Sequence, residues 1–190
     1  MYIMCLADIR HCVRVANFSM TLADALSLSH IEKEELYISG LFHDIGKAFL
    51  RQDILNKPGR LTITERKHIE THPVFSYQEA KNVGFSDAIA NNILHHHENF
   101  DGTGYPDRIK GHQIPLGARI LKITDTFDAL TSDRPYRKAL AVPEVLVIMS
   151  NHTDHYDPEL YLLFIHLVDK LTNNFHVDDF QRLSAGGGMV

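Results

Sequence analysis

Cysteine is scarce in this sequence: Cys5 and Cys12 are the two present in 190 residues. They form no CxxC pair, and two thiols near one end make no disulfide framework, so a reduced, cytoplasmic setting is the expectation. A basic excess is also missing. With 19 Lys and Arg against 24 Asp and Glu, the formal charge is −5, which leaves no field to hold a nucleic-acid polymer. No apolar run approaches the roughly 18 residues of a membrane span, and Met1–Leu6 is too short for a signal peptide. Alternating strand patterns, repeats and an interior linker are absent as well. What is there is a chain that is 44% hydrophobic, long enough to bury one substantial core.

The apolar periodicity is helical nearly throughout. Val13, Val15, Phe18, Leu22, Ala25 and Leu26 fall at mostly three- and four-residue steps and predict a first helix. Ser29-His30-Ile31-Glu32 reads as a capping box opening a second helix that runs to about Phe42. Lys57-Pro58-Gly59 breaks the chain, and Thr62-Ile63-Thr64-Glu65 is a second capping box, predicting a helix through Lys81. Another helix is expected over about Ser86–His97, ended by the loop Asp101–Pro106. Leu116–Leu130 is apolar and helical, Pro143 lies in the first turn of a further helix, and Pro158 starts the next. The expected architecture is all-α, a single-domain helical bundle. Residues 1–183 form the domain and Ser184–Val190, with three glycines in a row, a frayed tail.

Thirteen histidines are the compositional oddity. His43-Asp44 closes an apolar helical segment, where burying an imidazole beside a carboxylate is costly unless the two are paired or bind a metal. A lone pair of this kind more often ties down a helix end. Here His72, His96, His97 and Asp125 must be explained too, the last set in the apolar stretch Ile120-Leu121-Lys122-Ile123-Thr124-Asp125. An imidazole and carboxylate donor set without thiolate suits Fe, Mn, Ni, Co or Zn. Two such ions about 3.5–4 Å apart are a common device for phosphoester hydrolysis.

The strings His43-Asp44-Ile45-Gly46-Lys47, His96-His97-Glu98 through Tyr105-Pro106, and Asp125 to Arg137 resemble the HD-GYP family of HD phosphohydrolases. The block Asp101-Gly102-Thr103-Gly104-Tyr105-Pro106 separates that family from other HD enzymes. The resemblance covers about Ile9 to Phe164. It implies an HD-type bundle with an inserted GYP loop and hydrolysis of the bacterial second messenger cyclic di-GMP to pGpG, GMP or both, by attack of a metal-bridging hydroxide. The family's ligands fall on His11, His43, Asp44, His72, His96, His97 and Asp125, with Asp44 bridging the two metals. His11 follows from Arg10-His11-Cys12-Val13-Arg14-Val15, similar to the family's His-x-x-Arg-Val opening. His95 falls one position early and is read as an ordinary or supporting residue. Fe or Mn come first as the two divalent ions, with Ni, Co or Zn also compatible. A third ion is disfavoured because Ala7 stands where some members have a glutamate.

The same resemblance puts substrate phosphates on Lys47, Arg134 and Arg137, and Gly104 and Tyr105 beside them in the GYP loop. Lys47 would reach the site one turn beyond His43 if the helix continued. Tyr105 lines the ligand pocket or packs on the helix below. The loop is also implicated in contacts with diguanylate cyclase (GGDEF) proteins. Asp44 and Lys47 are the residues assigned to catalysis, and Cys5 and Cys12 are not. Three other readings stay open. They are a hydrolase for a mixed guanine–adenine cyclic dinucleotide, a nucleotidase of the wider HD superfamily, and a catalytically weak module that binds nucleotide or a protein partner. Only ten residues precede His11, where HD-GYP proteins commonly carry a regulatory domain, so the chain is a stand-alone domain or a piece of a longer one.

Overall fold

The computed structural model describes residues 6–133 and 138–172, and within these the chain is helical with no strand. Among the described residues nine α-helices follow in order: α1 Leu6–Ala25, α2 His30–Phe42, α3 Gln52–Leu55, α4 Ile63–Ile69, α5 His72–Val83, α6 Asp87–His95, α7 Leu116–Thr131, α8 Val142–Ser150 and α9 Pro158–Thr172. None of the described helices is long and apolar enough to cross a membrane.

Local chemistry sets these boundaries. Ser29 accepts from the backbone N–H of Glu32 while the Glu32 carboxylate accepts from the Ser29 backbone, and Thr62 with Glu65 repeats the arrangement at α4. Gly84 ends α5 at φ 87° in the left-handed region. The helix expected from Thr62 through Lys81 is in fact two. It breaks at Glu70-Thr71, and Pro73 sits in the first turn of α5, where its missing N–H costs nothing. The break matters because it re-aims the chain and brings His72 inward as the first residue of the new helix.

The main core joins α1, α2, α7, α8 and α9 through Val15, Leu22, Leu36, Ile120, Leu121, Phe127, Leu146 and Ile165, all buried. A smaller cluster on α5 and α6, with Ile89 and Ile93 at its centre, packs against Phe42 of α2. The Ser19 and Thr124 hydroxyls meet at 2.9 Å between α1 and α7, fixing the register in which those helices present His11 and Asp125. The polar site lies between the two apolar clusters, where α1, α2, α5, α6 and α7 converge. Residues 1–5, 134–137 and 173–190 lie outside the described part, and with them Arg134, Arg137 and the Gly-rich tail.

Candidate metal centre and GYP loop

His43 caps the C-terminus of α2 and is fully buried, as is Asp44 beside it. The α-helix does not continue through Lys47, as the one-turn argument required. Ile45–Phe49 instead form a 3-10 turn, and its tighter winding swings Lys47 back so that Nζ meets Asp44 Oδ2 at 2.5 Å. The turn lies flat on α5 because residue 46 is glycine: a Cβ there would stand 2.1 Å from the His72 carbonyl oxygen. The Gly46 N–H donates to Ser76 Oγ at 2.8 Å, tying the His43–Lys47 segment to the helix that carries His72.

Two groups of donors surround Asp44. His11, His43 and Asp125 form one, and His72, His96 and His97 the other; within each, the donor atoms lie inside 4.8 Å of one another. Asp44 stands between them with one oxygen toward each. Its Oδ1 is 3.2 Å from His72 Nε2, while Oδ2 is 3.6 Å from His11 Nε2 and 3.4 Å from His43 Nε2. Asp125 Oδ1 is 3.1 Å from His11 Nε2. The structure thus brings together all seven side chains that the resemblance marked as ligands.

The imidazoles are turned the same way. Nδ1 of His43, His72 and His96 donates to the carbonyls of Gly40, Ile69 and Ile93 at 2.8, 2.8 and 2.6 Å. A carbonyl can only accept, so each neutral ring holds its proton on Nδ1 and offers the Nε2 lone pair. The Nε2 atoms of His11, His43, His72 and His96 and Asp44 Oδ1 are buried and complete no hydrogen bond. Buried acceptors left open around one point are costly for a core and appropriate for a cation. The donor set therefore fits divalent metal.

Sequence reasoning missed Asp128. Its Oδ2 accepts from His11 Nδ1 at 2.6 Å, and Arg14 clamps the same carboxylate through Nε at 2.5 Å and a second guanidinium nitrogen at 3.0 Å. Asp128 is buried, three residues beyond Asp125 on α7, so one helix face supplies both a donor and the group that orients its neighbour. The three-residue step from Asp125 was the available signal. Cys12 is buried too, with its sulfur inside 4.8 Å of donor atoms on His43 and Asp44.

Charge in the cluster follows from burial and neighbours. Burial would raise Asp44, yet Lys47 and His43 beside it hold the carboxyl well below its usual range. Asp125 is likewise pushed well down against its own burial, by His11 and His43. His96 and His97 are driven well below the ordinary imidazole value, first by burial and then by neighbouring rings. His11 goes the other way. Burial opposes its charge, but Asp125 and Asp128 lift it to about 9.

His95 does not join its neighbours. Its Nδ1 meets the Asn91 carbonyl, and its Nε2 meets Asp107 Oδ2 at 3.0 Å in the loop. That loop is anchored from beneath by Glu98, whose Oε1 accepts from the backbone N–H groups of Asp107 and Arg108 at 2.6 and 2.9 Å. Tyr105 stacks on the His97 ring at 4.9 Å and 27°. It therefore packs against a member of the cluster. Gly104 is buried against the chain below, and a Cβ would stand 2.3 Å from the Asn99 nitrogen and 2.5 Å from Glu98 Cα. Its place is that of a packing glycine. Gly104→Ala is expected to lift the loop, costing about 1–3 kcal/mol as overpacked cores do. Thermal melting checks this, and an unchanged midpoint would show that the contact yields freely.

A helical bundle that converges buried imidazoles and carboxylates on one point, lone pairs inward, has the makings of a metal site. The chain belongs to the HD domain family, whose family model matches residues 6–160. Among curated relatives, it is 38% identical over 177 residues to a cyclic di-GMP phosphodiesterase of Pseudomonas aeruginosa, covering 93% of this chain and 42% of that protein. It is 39% identical over 140 residues to 3'3'-cGAMP-specific phosphodiesterase 1 of Vibrio cholerae, covering 74% and 32%. The chain thus spans less than half of either relative. The solved structure of an HDGYP protein from Bdellovibrio bacteriovorus shares the fold, with a TM-score of 0.68 over 86% of this chain and 52% of that one, at 21% identity.

Proposed function

We propose that residues 1–183 form a metal-dependent phosphodiesterase domain that hydrolyses cyclic di-GMP to pGpG, GMP or both, in the cytoplasm. The observation that carries this reading is Asp44 between two donor groups, one oxygen toward each, with open Nε2 atoms on both sides. One divalent ion would be held by His11, His43, Asp125 and Asp44, and a second by His72, His96, His97 and Asp44. Fe or Mn are the first candidates and Ni, Co or Zn compatible ones, since the donors are nitrogen and carboxylate oxygen. When bound, such a pair supplies Lewis acidity toward the phosphodiester and lowers the pKa of a water nucleophile.

In the overall hydrolysis a water oxygen bonds to phosphorus, the bond to the 3′-oxygen breaks, and that oxygen gains a proton. The chain's own residues prepare the setting. The carbonyls of Gly40, Ile69 and Ile93 fix the three imidazoles in the tautomer that offers Nε2. Asp128 holds the His11 proton on Nδ1. Lys47, on Asp44 Oδ2, would receive a phosphate oxygen entering beside that carboxylate. Arg134 and Arg137 are assigned to the phosphates by resemblance alone. Tyr105, stacked on His97, is the side chain against which a base would lie, and the GYP loop is assigned to GGDEF partners by resemblance alone.

The test is metal analysis of anaerobically prepared protein joined to a cyclic di-GMP assay that resolves pGpG from GMP. About two equivalents of metal and chelator-sensitive turnover are expected. Metal held only by the folded state at about 100 times its dissociation constant adds about 2.7 kcal/mol. Chelation should therefore lower the melting midpoint by about 5–10 °C. If no metal supports hydrolysis of any cyclic dinucleotide, the proposal fails. A second reading, preference for the mixed guanine–adenine dinucleotide, is supported by the Vibrio cholerae relative's name. Comparing turnover of the two substrates separates them.

A further inference from the structure

Lys122 lies in the most apolar stretch of α7, between Leu121 and Ile123, both fully buried. It is three residues before Asp125 and so shares that residue's face of the helix. Its stem is half-buried, and its ammonium makes no salt bridge with a described carboxylate. Its charge is nevertheless felt on both sides of the cleft: by Asp125 and His97 in the donor cluster, and by Glu98 and Asp101 where the GYP loop begins. A lysine desolvated beside other groups without closing an ion pair is costly, and here burial pushes its pKa down. Such a cation is poised for an anion that is not part of the chain. Lys47, the other lysine at the donor cluster, has its head on Asp44.

Resting on the proposed cyclic dinucleotide substrate, we propose that Lys122 is a substrate-binding residue whose ammonium receives a phosphate at the rim between the donor cluster and the GYP loop. With Lys47 beside Asp44 and Lys122 one turn before Asp125, two lysines then serve a ligand bearing two phosphate charges. Lysine suits this position because its long stem packs along the apolar α7 surface while its head reaches the polar cleft.

The experiment compares the wild-type protein with Lys122→Met and Lys122→Arg. It measures steady-state hydrolysis of cyclic di-GMP, calorimetric binding of the same dinucleotide, metal content and thermal midpoint. Methionine keeps the packed stem and removes the charge. Losing one charge-assisted contact should raise KM and Kd by about tenfold, with kcat inside about twofold and metal content unchanged. Arginine should restore most of the affinity. An unmoved KM and Kd, or losses of metal and midpoint that fully account for lost activity, would overturn the assignment in favour of a lysine that merely offsets Glu98 and Asp101. If the wild-type protein binds the dinucleotide without cleaving it, the hydrolase reading falls while the Kd comparison still decides Lys122. If the wild type binds none, both fall.

Discussion

Asp44→Ala protein is expected to fold, to lose most of its bound metal, and to hydrolyse cyclic di-GMP on the order of 10³-fold more slowly. The size follows from what one carboxylate does here. Its two oxygens address both donor groups, so its removal weakens both ion sites at once. Metal-ion stabilisation of a phosphoryl transition state is worth several kcal/mol, and each 1.36 kcal/mol is about tenfold in rate. Lys47 loses its Asp44 contact in this variant but is 23% exposed at its side chain, so its charge still meets water and the fold has a way to tolerate the loss. His95→Ala serves as the contrast. That ring is adjacent in sequence to His96 but points to Asn91 and Asp107, so metal content should stay at the wild-type level. Metal stoichiometry by elemental analysis and turnover by product chromatography read both variants. Asp44→Ala protein with two ions and wild-type turnover would remove the bridging role altogether.

The contrast between His95 and its two neighbours also marks how far the sequence reached. The capping boxes at Ser29 and Thr62 specify helix starts through side chain and backbone alone, and both helices begin there. His43, Asp44, His72, His96, His97 and Asp125 stood out because imidazoles and carboxylates buried together need a reason, whereas His11, and the ligand role of all seven, were read only from the resemblance to the HD-GYP strings. The break between α4 and α5 was not foreseen, since the periodicity of apolar residues runs on through Ile69 and Val74 and masks Pro73. Lys47 was expected on a continuing helix and arrives instead by a 3-10 turn that Gly46 permits. Asp128, Glu98 and Lys122 escaped notice for a common reason. None is marked by spacing alone: Asp128 orients a ring 117 positions away, Glu98 caps the following loop by accepting two backbone N–H groups nine and ten residues on, and Lys122 reads in sequence as one polar residue in an apolar stretch. No local spacing encodes which nitrogen of a histidine will be left open, although that decides whether the cluster can take a metal.

Asp128→Ala tests that last point through a residue that supplies no atom to either donor group. The Asp128 carboxylate is buried and holds His11 Nδ1 at 2.6 Å, so it fixes both ring orientation and tautomer. Without it, the His11 proton can reside on either nitrogen, and the ring can turn away from Asp125 and Asp44. Loss of such a supporting partner typically costs 10–100-fold in metal affinity, and that is the fall expected in a competition titration against a chelator. Arg14, 41% exposed at its side chain, can rehydrate once its partner is gone, so the fold should bear the change. Asp128→Asn sharpens the result. The amide oxygen can still accept from Nδ1, but it carries no charge to support the imidazole, so affinity should fall between those of the wild type and Asp128→Ala. Arg14→Ala should weaken metal less than either, because it leaves the Asp128–His11 contact in place. An Asp128→Ala protein that binds metal as tightly as the wild type would mean that His11 is oriented by α1 packing alone, or that His11 is not a ligand. His11→Ala in the same titration separates those two, since only a true ligand lowers affinity when removed.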